Sequence, residues 1–282
     1  MNSDYQSVIR ANQELHTVLA SSYDATEPQF RPENVAHVES RLKGIFDSTS
    51  AKRMLDLGCG TGFLINIAKK YVSEIDGVDI TEAMISRVDL SGDCKIRLHL
   101  ADTGSVELER GVFDVVTAYS FLHHLYDIRP TLRTAARALR PGGRFYADLE
   151  PNYYFWAAVK GLDPAGTYDP ILLREIQSVT LKDEEIEQRF LVNRQVFKTA
   201  EYNKQITGGF REEILTAELL AAGFAHVEIS YYWYLGQAAV INDATLPMGQ
   251  RVSVARLFGA TLEKSLPITR NLFKYVGFVA TR

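Results

Sequence analysis

Cysteine is almost missing from this sequence: Cys59 and Cys94 are the only two in 282 residues. They cannot form a disulfide framework, and neither sits in a CxxC or Cys/His spacing, so no metal site is expected and a reducing cytoplasm fits best. A dominant charge is missing too. The 31 basic and 35 acidic side chains leave a net charge of -4, which offers no basic field to a phosphate backbone, so nucleic acid is not an expected partner. No apolar run approaches the ~18 residues that a membrane span needs. The opening, Met1-Asn2-Ser3-Asp4-Tyr5, has an early acid and no basic leader region, which argues against secretion. Internal repeats and low-complexity tracts are likewise absent.

What remains is a soluble chain large enough for one α/β core with accessory layers. Residues 1–50 read as an N-terminal helical cap, with Val35, Val38, Leu42, Ile45 and Phe46 at helical spacing behind Pro32. From Arg53 short apolar runs alternate with amphipathic helices, the pattern of parallel strands joined by crossovers. Strands are predicted at 54–57, 75–79, 96–100, 112–118 and 144–149. Residues 151–210 break the rhythm with the aromatic cluster Tyr153, Tyr154, Phe155 and Trp156 and the acidic run 183–187, read as an inserted helical lid with a solvated face. Residues 211–282 complete the core with a helix ending at Gly223 and strands at 227–234 and 274–281, the segment 237–272 being a second insertion.

The segment Met54-Leu-Asp-Leu-Gly-Cys-Gly-Thr-Gly62 runs from a strand through three alternating glycines into a helix. Gly58, Gly60 and Gly62 let the backbone turn tightly and approach a ligand where a helix offers free N–H groups. Such a loop alone does not separate a dinucleotide from other nucleoside ligands. Asp56 does. Its carboxylate would face the pyrophosphate of NAD, and two like charges ~5 Å apart at an effective dielectric of about 20 repel by roughly 3 kcal/mol. A ligand that brings an ammonium and a sulfonium meets attraction instead. The glycine spacing also departs from the GxGxxG fingerprint, which leaves an NAD-dependent oxidoreductase as the lesser alternative.

Leu55-Asp-Leu-Gly-Cys-Gly-Thr-Gly62 resembles the first motif of the class I S-adenosylmethionine-dependent methyltransferases of small-molecule type. The resemblance extends through residues 51–150 in the family's order. It implies a Rossmann-like, open, mostly parallel seven-stranded sheet with helices on both faces, an antiparallel last strand and helical cap insertions. S-adenosyl-L-methionine is the implied cofactor. Asp79, in Gly77-Val-Asp-Ile80, resembles the acid that binds the ribose hydroxyls. Asp102, in Leu100-Ala-Asp-Thr103, resembles the residue that contacts the adenine amino group. The implied cofactor set is Asp56, Gly58, Cys59 (through its backbone), Gly60, Thr61, Gly62, Asp79, Ile80, Ala101, Asp102, Thr103, Ala118 and Tyr119. Without the resemblance, Asp79 reads equally as a helix cap near Thr81.

Candidates for the chemistry are fewer. His123 and His124 follow the fourth strand, where the crevice of an open α/β sheet lies, and one of the two at most would serve as general base. Tyr23 resembles a tyrosine held near the transferred methyl in many small-molecule methyltransferases. Ser120, Tyr153 and Tyr154 are candidate substrate contacts, although the aromatic cluster suits a packed lid core as well. Methyl transfer from a sulfonium is an in-line displacement, so alignment does most of the work and a base matters only if the acceptor starts protonated. The position that would carry an Asn/Asp-Pro-Pro-Tyr motif reads Thr117-Ala-Tyr-Ser120, which argues against a flipped nucleobase. The expectation is methyl transfer to an O, N or C atom of a small organic molecule by a monomer or homodimer; cofactor binding without transfer is the alternative.

Overall fold

The computed structural model describes residues 3–163 and 165–282. Met1 and Asn2, the first positions of the expected cap, and Pro164 of the expected lid lie outside the described residues. Seven strands, β1 (Arg53–Leu57), β2 (Glu74–Asp79), β3 (Lys95–Leu100), β4 (Phe113–Tyr119), β5 (Leu139–Pro151), β6 (His226–Tyr234) and β7 (Phe273–Thr281), form one sheet. Their order is β3-β2-β1-β4-β5-β7-β6. The first five are parallel, and β7 runs antiparallel between β5 and β6. This is the Rossmann-like arrangement expected. Met54 to Leu57 are all buried because helices cover both faces, which is why β1 reads as an unbroken apolar run apart from Asp56.

The helices are α1 (Ser3–Leu19), α2 (Tyr23–Thr26), α3 (Pro32–Thr49), α4 (Phe63–Ala68), α5 (Glu82–Ile85), α6 (Arg129–Ala138), α7 (Tyr153–Lys160), α8 (Pro170–Thr180), α9 (Lys182–Phe190), α10 (Arg194–Ala200), α11 (Glu212–Ala222), α12 (Gln237–Ile241) and α13 (Met248–Glu263). The expected cap over 1–50 divides in two. Val38, Leu42 and Phe46, four residues apart on α3, bury one stripe with Met54, Val115 and Tyr146, so α3 is a layer of the core. Helices α1 and α2 and the turn Pro28–Phe30 border the ligand crevice. Helices α7 and α8 share a cluster of Phe155, Trp156, Val159, Ile176 and Val179, while α9 and α10 pack on α1 through Ile186, Val192, Phe197 and Ala200. Among the described residues, no helix is long and apolar enough to cross a membrane.

Two details of the sheet matter later. In β5 the register to β7 shifts between Ala147 and Glu150, with Leu149 at φ 61°, so an extra residue bulges out and re-aims Glu150. At the margins, β3 carries Lys95, Arg97 and His99 at alternate positions, with Arg97 bonded to Asp76 at 2.7 Å and to Glu74 at 3.0 Å. On β6, Trp233 at φ 59° is skipped in the pairing between Tyr232 and Tyr234.

Candidate functional site

Strand order reverses between β1 and β4, and at such a switch point the loops leave in opposite directions and open a crevice. The glycine loop sits there. Gly58 adopts φ 73°, and a Cβ at that position would lie 2.0 Å from the Phe121 ring, so only glycine fits between the loop and the residue after β4. The N–H groups of Gly58 and Cys59 donate to the Val78 carbonyl at 2.8 and 3.0 Å, fixing the loop to β2. Asp79 then clamps it: Oδ2 accepts from Gly60 N at 2.9 Å and Oδ1 from Thr81 N at 2.8 Å. Asp79 thus makes a turn onto Thr81 ahead of α5, which has no side-chain cap, and ties the glycine loop to the end of β2.

The crevice holds about 1040 Å³ of empty space, the open solvent at its mouth included. Asp56, Gly58, Cys59, Gly60, Thr61, Asp79, Ile80, Asp102, Thr103 and Tyr119 all line it, as do Tyr23, Ser120 and His124. Gly62, Ala101, Ala118, His123, Tyr153 and Tyr154 do not. Gly62 caps α4 at φ 89°, and Ala118 is buried in the core while Ala101 packs against it. Tyr153 and Tyr154 correct the expectation of a substrate wall: Arg211 lies 4.0 Å over the first ring and Arg270 3.6 Å over the second, and the Tyr154 hydroxyl donates to Glu213. Cation–π contacts with distant arginines hold these rings away from the cavity.

The largest group of lining residues that sequence reasoning missed comes from α1. Tyr5, Val8, Ile9, Asn12 and His16 line the cavity, and their spacing of 0, 3, 4, 7 and 11 marks one helical face, a signal hidden by its mixture of polar and apolar types. Rings close much of the wall: His124 meets His16 edge-on at 4.8 Å, His16 leads to Tyr23 at 6.4 Å, Tyr23 to Phe30 at 6.1 Å, Phe30 to Phe63 at 5.1 Å and Phe63 to Tyr119 at 5.1 Å.

The histidine pair sits on a 3-10 turn, Leu122–His124, after β4. Re-aimed by the bulge, Glu150 gathers four bonds: Phe121 N (2.9 Å) and Leu122 N (2.8 Å) on Oε1, His123 N (3.0 Å) and His123 Nδ1 (2.8 Å) on Oε2. That carboxylate builds the turn. His124 stacks on His123 at 4.2 Å and donates from Nδ1 to the Ala200 carbonyl at 3.0 Å; since a carbonyl only accepts, Nε2 bears the lone pair. Burial, with His123 alongside, pushes the His124 imidazole well below its usual range, so it is neutral. Glu201 lies 4.0 Å from His124 Nδ1 and 3.8 Å from His123 Nε2. Against the upward push of burial, the Lys204 ammonium holds Glu201 ionised. His123, His124 and Glu201 bring donor atoms within 4.8 Å of one another, a set a divalent metal could use. Lys204 Nζ, 2.5 Å from Glu201 Oε2, already takes the place of a cation there.

Residues 55–147 match the family described as Methyltransferase domain. That segment, about a third of the chain, is similar to the class I S-adenosylmethionine-dependent methyltransferases. An ubiquinone biosynthesis O-methyltransferase of Idiomarina loihiensis is 27% identical over 160 residues, which are 50% of this chain and 61% of that protein. The 27-O-demethylrifamycin SV methyltransferase of Amycolatopsis mediterranei is 33% identical over 118 residues, 40% of this chain and 43% of the relative. The chain thus spans less than two thirds of the length of these curated relatives. An S-adenosylmethionine dependent methyltransferase structure from Mesorhizobium loti shares the fold, with TM-score 0.52 and 20% identity over 92% of this chain and 99% of that one.

The loop has the chemistry to hold S-adenosylmethionine, the cofactor that its motif implies. Asp56 is buried, with Thr117 Oγ1 donating to it at 2.7 Å. Burial, eased by Thr117 and reinforced by Asp79, raises its carboxyl to about 7. An arriving ammonium favours the ionised form, so binding at lower pH must first remove a proton. Cofactor affinity is expected to rise about tenfold between pH 6 and 8 and then level. Calorimetry across that range, in two buffers of different ionisation enthalpy, measures the slope and the proton released; an Asp56→Asn chain with the same slope would assign it elsewhere. The Cys59 thiol, pushed well up by burial and by Asp79 and Asp56, is no nucleophile.

Proposed function

We propose that this chain transfers the methyl group of S-adenosylmethionine to a hydroxyl of a small, partly apolar, ring-bearing molecule, with His124 as general base. The observation that carries the reading is the neutral His124 imidazole on the cavity wall, its Nδ1 proton committed to Ala200 and its Nε2 free to accept. An amine or thiolate acceptor needs no such base, whereas a hydroxyl does. The names of the curated relatives, both O-methyltransferases by their printed descriptions, support the same class.

The cofactor's adenine is placed at Asp102, its ribose at Asp79 and its ammonium at Asp56. The sulfonium then faces Tyr119 and Tyr23, whose ring faces favour a cation. The acceptor lies between those rings and His124, its hydroxyl proton moving to Nε2 as oxygen attacks the methyl carbon and sulfur departs with the bonding pair. Ionised Glu201 stabilises the imidazolium that forms. Alignment supplies the larger share, roughly 7–11 kcal/mol of the barrier, and the base about 3–5 kcal/mol. Segments 151–210 act as the lid on the acceptor side. Two buried, unpaired cysteines suit a cytoplasmic setting. Methyl-labelled cofactor offered with phenols, catechols, aliphatic alcohols, amines and an oligonucleotide tests the reading: label is expected on hydroxyl oxygens, and label confined to amines or to the oligonucleotide overturns it.

A further inference from the structure

Helix α1 touches both halves of the site. On one side the Tyr5 hydroxyl donates to Asp102 Oδ2, and Gln13 Nε2 donates to the Ile80 carbonyl at 3.1 Å. Further along, Asn12 Nδ2 donates to the carbonyl of His124 at 3.0 Å. The adjoining face, Ala11, Leu15 and Leu19, is packed against α9 and α10. Just beyond α1, Thr61 Oγ1 of the glycine loop donates to Asp24 of α2 at 2.6 Å. The N-terminal segment is thus fastened to the cofactor loop, to the carbonyl of the candidate base and to the lid at once.

These fastenings lie across the cofactor's route. Asp102 Oδ1 already accepts from Gly104 N at 3.0 Å, so a donor arriving at that carboxylate meets the oxygen that Tyr5 holds. We infer that Tyr5 is a latch: α1 lifts from Asp102 to exchange cofactor, closes over it, and completes the acceptor pocket in the same movement, so cofactor binds before acceptor. The inference rests on adenine being placed at Asp102. Its physical basis is that one rigid helix cannot leave Asp102 without also disturbing Asn12 on His124 and the packing on α10. A single helix with two discrete positions, biased by ligands at both ends, meets the requirement for coupling between sites.

The test uses the whole chain and S-adenosylhomocysteine as probe, with amide hydrogen exchange and stopped-flow binding. In the parent chain the probe is expected to slow exchange in residues 3–19 and in 182–200 together. Tyr5→Phe keeps the ring and removes the hydroxyl; exchange in 3–19 of its free form should quicken about tenfold, and the probe should both enter and leave faster. Unchanged exchange and unchanged rates in Tyr5→Phe overturn the latch, and protection confined to 3–19 overturns the coupling. Asp102→Asn separates the premise: a probe affinity equal to the parent's removes adenine from Asp102, whatever Tyr5→Phe does.

Discussion

His124→Gln is expected to lower kcat by about a hundred- to ten-thousandfold on a hydroxyl acceptor while changing cofactor affinity less than about threefold. The substitution removes a cavity-wall imidazole whose Nδ1 is held by the Ala200 carbonyl; His16, held by the Asn12 carbonyl at 2.9 Å, is the other, and His16→Gln is the matching control. Glutamine still reaches the Ala200 carbonyl, so the turn should survive and the loss should fall on the chemical step. Raising the pH should recover part of the rate with an acceptor of low pKa, because an acceptor already ionised needs no base. Single-turnover kinetics of the two chains, with binding measured separately, check this. His123→Gln serves as the counterpart. Its Nδ1 is committed to Glu150, and it does not line the cavity, so a larger kcat loss there would transfer the base from His124 to His123.

Asp79→Ala is expected to weaken S-adenosylmethionine and S-adenosylhomocysteine alike by about a hundredfold or more. Two ribose hydroxyls lose a charged acceptor, each such bond contributing about 1.5–3 kcal/mol, and about 2.7 kcal/mol already corresponds to a hundredfold. The same change strands the N–H groups of Gly60 and Thr81, which the carboxylate now holds at 2.9 and 2.8 Å. The loop should loosen as well as lose its ligand contact. Asp79→Asn keeps one acceptor oxygen and should fall between the two. Isothermal titration decides it; a loss below tenfold in the alanine chain would put the ribose elsewhere.

That the glycine loop, Asp56 in β1, Asp79 at the end of β2 and Asp102 after β3 meet at one cavity was legible because the signal is local. Three glycines, a preceding carboxylate and the strand-to-helix switch occur within a few residues, and the backbone there has little freedom to do otherwise. Strand positions were legible for a similar reason, since strands covered on both faces become apolar runs. The acceptor side was not. His124 depends on the carbonyl of Ala200, His123 on Glu150 and Glu201, and nothing in the neighbourhood of Leu122 signals those partners. Tyr153 and Tyr154 have the composition of a substrate wall, but Arg211 and Arg270, more than fifty residues downstream, decide where the rings go. For α1, an alternation of tyrosine, valine, isoleucine, asparagine and histidine gives no clear apolar stripe, because its inner face borders a polar ligand cavity and not a hydrocarbon core.

The margins of the sheet bear on how the protein behaves in crowded solution. An exposed strand edge invites another chain to add itself, the first step of aggregation. Here β3 ends the sheet with Lys95, Arg97 and His99 at alternate positions, Arg97 paired with Asp76 and Glu74 of β2, so an added strand would have to fit against a row of polar, ion-paired side chains. At the far margin, the left-handed residue Trp233 breaks the ladder of β6 before it can serve as a straight template. Neither margin offers a flat, uncharged strand for fibre growth, so concentration alone gives these sheets no easy way to extend from molecule to molecule.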